Sequence, residues 1–119
     1  MYGLPENIDL SFFLGKDLEQ LAFSPGQIQF FFSEGIHIGF SGEFSHSAHA
    51  KTSGWDESTP LINAASILSL VGAKVIDVHA VTDGTLTLRF SNSETIVLYD
   101  NSEHYESYTI RHGDDVWVI

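Results

Sequence analysis

Two imidazoles three residues apart, in Glu43-Phe44-Ser45-His46-Ser47-Ala48-His49, are the first candidates for chemistry in this sequence. With Glu43 before them and Asp56 and Glu57 after, they are of the donor types that hold Zn²⁺ or Ni²⁺, a task needing three or four preorganised ligands. Two histidines in a Ser/Ala/Lys loop with no helix to fix them fall short, so His46 and His49 are weak metal candidates. Near the end of the chain, His104, Glu106 and Ser107 have the ingredients of a hydrolytic triad, but triads are defined by geometry, and adjacent residues rarely converge. Arg111, His112, Asp114 and Asp115 follow closely, and with His104 and Glu106 they form the candidate binding cluster.

Most other chemistry is excluded by what the sequence lacks. Zero cysteines remove disulfides, thiol nucleophiles, Cys-ligated zinc and iron–sulfur clusters. No Gly-x-Ser-x-Gly, no His-Glu-x-x-His, no phosphate loop and no Gly-x-Gly-x-x-Gly after a strand occurs, and no cofactor is implied. The pairs Asp56/Glu57 and Asp114/Asp115 fall in expected turns, where Asp bonds its own backbone. His37 and His79 fall inside expected strands and read as structural.

With 5 Lys+Arg against 16 Asp+Glu, the formal charge is −11. Such a chain repels phosphate instead of releasing its counterions, so nucleic acid and anionic membrane are poor partners. At 119 residues, 43% hydrophobic and 18% charged, the composition suits one domain with its own core. No apolar run reaches the roughly 18 residues that span a bilayer, and the start MYGLPENIDL has no basic region followed by an apolar one, so a soluble, cytoplasmic protein is expected.

The elements that must position these residues follow from periodicity. Ile28, Phe30 and Phe32, then Ile36, Ile38 and Phe40, alternate with polar residues around Ser33-Glu34-Gly35, the pattern of two half-buried strands and a turn. Leu86, Leu88, Phe90, Ile96 and Leu98 repeat it after the Asp83-Gly84 turn signal. From Leu61 to Val71 the spacing predicts a largely buried helix, opened by Thr59-Pro60, ended by Gly72, and burying Leu61, Ala64, Ala65, Leu68 and Val71. Leu10 to Leu14 predicts a shorter helical turn ended by Gly15.

Comparing the chain with itself strengthens the parallel. Leu10 to Leu18 lies over Ile67 to Val75 with Gly15 on Gly72, and the apolar positions of the following strands keep the order. The expected fold is therefore α+β: two helix-plus-three-stranded-meander repeats with pseudo-two-fold symmetry, about 10–40 and 61–99. A linker at 41–58 joins them, and a closing hairpin at about 105–119 completes the domain. Phe31, Val97, Tyr99 and Trp117 are expected on outward faces, which implies cover from the rest of the chain or from a second copy in a homodimer.

Three motifs resemble a family of small uncharacterised bacterial proteins, a domain of unknown function. They are Phe13-Leu14-Gly15-Lys16-Asp17-Leu18-Glu19-Gln20, then Leu68-Ser69-Leu70-Val71-Gly72 with Asp83-Gly84-Thr85-Leu86-Thr87-Leu88, and the closing His104-Tyr105-Glu106-Ser107-Tyr108-Thr109-Ile110-Arg111-His112-Gly113. The resemblance covers most of the chain outside Ser41 to Trp55 and implies no activity, cofactor or catalytic residue.

Acidity, small size and missing catalytic motifs together favour a non-enzymatic protein-binding module. One form is an immunity-type protein or antagonist that masks a basic partner by electrostatic complementarity. The alternative is a small-molecule or metal-binding protein, an enzyme among them, using the C-terminal His/Glu/Arg cluster or the His46/His49 loop. Convergence of His104, Glu106, Arg111 and His112 on a pocket would favour the second class, and dispersal over solvent the first.

Overall fold

The structure, a computed structural model, describes residues 8–24, 26–48, 51–54, 65–100 and 108–119. Among them are ten strands and, as helical segments, only 3-10 turns. One sheet has the order β1-β2-β3-β9-β10, from β1 (Leu18–Ser24), β2 (Gln27–Phe32), β3 (Ile36–Phe40), β9 (Tyr108–His112) and β10 (Asp115–Val118). The other has the order β5-β4-β8-β7-β6, from β4 (Phe44–Ala48), β5 (Lys51–Gly54), β6 (Val75–Ala80), β7 (Leu86–Phe90) and β8 (Thr95–Leu98). Every strand pairing is antiparallel. Among the described residues no helix is long and apolar enough to cross a membrane.

The inward rows expected from alternation are buried: Phe30 and Ile38 from one sheet, Leu88 and Ile96 from the other, belong to one continuous core. Phe30 lies opposite Ile38, and Leu88 opposite Ile96, so a one-residue slip would turn each row to solvent. The chain leaves the first sheet after β3 to build the β4–β5 hairpin onto β8, and leaves the second after β8 to build β9–β10 onto β3. At one corner the sheets are stitched together by backbone bonds. Leu18 N–H donates to the Ala73 carbonyl at 2.9 Å, Val75 N–H to the Lys16 carbonyl at 2.9 Å, and Gly72 N–H to the Leu18 carbonyl at 2.7 Å.

This corrects the α+β expectation and its helix-plus-meander repeats. Among the described residues only a 3-10 turn heads either unit, and neither sheet is a self-contained three-stranded meander, since a hairpin from elsewhere in the chain completes each. The span 41–58, expected as linker, carries β4 and β5. The predicted helix is a 3-10 turn over Ala65–Leu70, and Leu61 to Ala64 lie outside the described residues. Three residues per turn stack positions i and i+3, so Ile67 and Leu70 face the core while Leu68 is 53% and Val71 42% exposed. Ile67→Ala should therefore cost about 2–5 kcal/mol, and Leu68→Ala under about 0.5 kcal/mol, in urea unfolding. A Leu68→Ala loss matching that of Ile67→Ala would restore the helical face.

Trp117 is also corrected. It pairs with Ile110 on the inner side and packs partly buried against the core, while Val116 and Val118 point outward and are exposed.

Candidate functional site

The second sheet ends at β6, whose first residue, Val75, is held by Lys16 and Gly15. Beyond Val75, from Ile76 to Ala80, β6 pairs with β7 on one side, and no other strand among the described residues pairs with its outer edge. An unpaired edge presents a row of backbone N–H and C=O groups ready to accept another strand. Beside this edge lies a cavity of about 320 Å³, lined by Ile8 to Ser11 and Leu14 from the N-terminal segment and by Asp77, Val78, Ala80, Val81 and Thr82.

The wall opposite β6 is shaped by Asp9. Its carboxylate accepts the Ser11 N–H at 2.9 Å, a local turn that starts the 3-10 turn Ser11–Phe13. Hydrogen bonds from the Ser11 hydroxyl and then from its backbone N–H hold the Asp9 carboxyl below the usual carboxylate range. Asp77 enters because a register shift between Val75 and Asp77 turns it to the outer face, across from Arg89. Leu14, Ile76 and Val81 are large exposed apolar residues at or beside the cavity. An apolar rim with two carboxylates suits a cationic group on an aliphatic stem.

The sequence-predicted cluster does not assemble. Alternation along β9 sends Arg111 outward, opposite His37, and turns His112 to the other face, where its ring stacks on Phe12 with centroids 4.1 Å apart. Asp114 and Asp115 are exposed at the tip of the β9–β10 hairpin. His104, Glu106 and His49 lie outside the described residues. His37 donates from Nε2 to the Gln29 side-chain oxygen, and burial, followed by the nearby Arg111 charge, pushes its imidazole below the ordinary histidine range.

His46 does not lie in a solvated loop, and among the described residues the donor type beside it is a single carboxylate, Glu94. It occupies an inward position of β4, opposite Ile96, and is 3% exposed. Nε2 lies 2.6 Å from Oε1 of Glu94, itself 5% exposed, and Nδ1 lies 3.3 Å from the Ser66 hydroxyl. The Ser69 hydroxyl donates to the same Glu94 oxygen at 2.6 Å, and the Asn92 amide donates to the other. Among the described residues no group of three or more His, Asp or Glu is placed to hold a metal ion.

No family model, curated protein or solved structure matches this chain. Its own geometry is therefore the guide to function. Sequence reasoning missed Asp9, Asp77 and Glu94. Glu94 ends the expected turn Ser91-Asn92-Ser93-Glu94, where a polar residue is ordinary, although it shares the inward phase of Ile96 and Leu98, and the cavity residues come from segments with no visible relation. The one available signal was His46, a polar residue in an apolar slot of Phe44-Ser45-His46.

Proposed function

We propose that this chain is a protein-binding module that takes an extended basic segment of its partner along the free edge of β6, with a Lys or Arg side chain in the adjoining cavity. The observation that carries the reading is the conjunction of an unpaired strand edge with a cavity bearing Asp9 and Asp77. Strand addition draws its affinity from main-chain hydrogen bonds and its specificity from pockets for alternate side chains. The formal charge of −11 favours a basic partner by steering the encounter, and so supports the immunity-type or antagonist form of the module. The exposed Asp114 and Asp115 contribute to that field at long range and are not part of the site.

A capped Lys-Val-Lys-Val-Lys-Val peptide tests it, with the Glu-Val repeat as control and amide shifts of the chain as readout. Expected are shifts centred on Ile76 to Ala80, and binding that weakens as salt rises. The Asp9→Asn/Asp77→Asn chain should bind several-fold more weakly, since each substitution removes one charge contact to the bound cation. Equal binding of the Glu-Val peptide, or shifts that avoid β6, would overturn the reading.

A further inference from the structure

The buried polar group at the other end of β7 and β8 has no part in the peptide site, yet its hydrogen bonds run in one direction. Glu94 gathers three neighbours on its two oxygens: the Ser69 hydroxyl, the Asn92 amide and His46 Nε2. A carboxylate that accepts every bond it makes obliges Nε2 to carry the hydrogen it shares with Oε1. In the neutral ring Nδ1 is then the acceptor, and the group that faces it is the hydroxyl of Ser66. A hydroxyl, an imidazole and a carboxylate are thus in series, the two partners on opposite nitrogens of one ring. That is the relation of nucleophile, base and orienting group in serine acyl transfer. His46 and Glu94 are withdrawn from solvent, whereas Ser66 is only partly buried and is the least enclosed of the three.

We propose that Ser66 is a reactive serine that takes small activated acyl esters, with His46 as its base and Glu94 as the residue positioning the imidazole. The Ser66 oxygen attacks the acyl carbon while its proton passes to His46 Nδ1. The tetrahedral adduct collapses, the bond from the acyl carbon to the leaving oxygen breaks, and that oxygen takes the proton from Nδ1. An ester on Ser66 remains, and water repeats the sequence to release the acid. The three groups include no oxyanion donor, and one such donor contributes about 10²–10³ in rate. Activated esters are therefore the substrate class, and amides are not. This inference does not rest on the peptide-binding reading, because none of its residues lines the cavity beside β6.

The test uses the whole chain with p-nitrophenyl acetate and with a small fluorophosphonate, read by mass of the intact chain and of its peptides. Expected is one adduct, on Ser66, forming at least about tenfold faster than on the exposed Ser91 or Ser93. The preference should vanish in urea, and release of p-nitrophenol should be lost in Ser66→Ala. The labelling rate should rise with pH along a single ionisation that disappears in His46→Gln and is displaced in Glu94→Gln, a change that a purely structural role would not produce. If those two variants fail to fold, the selectivity of the unaltered chain still decides. No adduct on Ser66, labelling spread evenly over exposed serines, or equal labelling in urea overturns the proposal.

Discussion

Gly84→Ala should cost about 2–5 kcal/mol of stability, combining roughly 1–2 kcal/mol for an L residue at positive φ with roughly 1–3 kcal/mol for overpacking. Gly84 closes the turn between β6 and β7 with φ +100°, and an added Cβ would lie 2.3 Å from Asp100 Cβ and 2.4 Å from its carboxylate oxygen Oδ2. The nearest atom belongs to the root of a side chain, so rotation cannot relieve the contact. Asp100 is itself buried, and the Gly84 carbonyl accepts the hydroxyl of the buried Tyr108 at 2.6 Å, so a shift of the turn disturbs both. Burial, then the charges of Asp100 and Asp83, raise the Tyr108 phenol above its ordinary range and keep it a donor to that carbonyl. Gly35 is the internal control: its φ is +75°, but nothing lies within 4 Å of an added Cβ. Gly35→Ala should therefore show only the backbone cost of about 1–2 kcal/mol. Equal urea midpoints for the two variants would show that Asp100 yields without cost.

The contrast between these glycines also indicates how much of the molecule was legible in the sequence. The Asp83-Gly84 turn and the rows around Phe30, Ile38, Leu88 and Ile96 could be read because one-sided burial imposes a period of two on a strand. The strand β4 was not legible, because His46 fills an inward slot that only the distant Glu94 makes tolerable. From Leu61 to Val71, Ala and Leu favour a helix. The described part closes a corner between sheet edges, where Ile67 and Leu70 bury best in a 3-10 turn. Trp117 shows a different limit, since alternation sets the phase of a strand but not which face meets the core. The candidate sites were less legible. Alternation separates Arg111 from His112 because the strand runs on through His112; with the strand expected to end at Arg111 and His112 to open the turn, their failure to converge was not legible. The cavity pairs Asp9 with Asp77, which only the tertiary packing of the N-terminal segment against β6 brings together.

His46→Leu should destabilise the chain by about 3 kcal/mol, because it takes the imidazole N–H from a buried carboxylate and leaves that group short of a donor. The side chains of His46 and Glu94 are 4% and 7% exposed, so water cannot replace the lost contact. Glu94 would keep Ser69 and Asn92 but lose its bond to the imidazole at Oε1, while Ser66, partly exposed, could turn to solvent. The effect should therefore fall on the carboxylate, and taking it away as well should relieve much of the loss. His46→Leu/Glu94→Met is expected to be more stable than His46→Leu alone, since apolar groups in place of both partners of a buried pair are often neutral or stabilising. Urea unfolding of the two single variants and the double variant gives the coupling between the residues directly. Additive losses would mean that His46 and Glu94 contribute to folding independently, and the 2.6 Å contact would then be an incidental neighbour relation in a core held by packing alone.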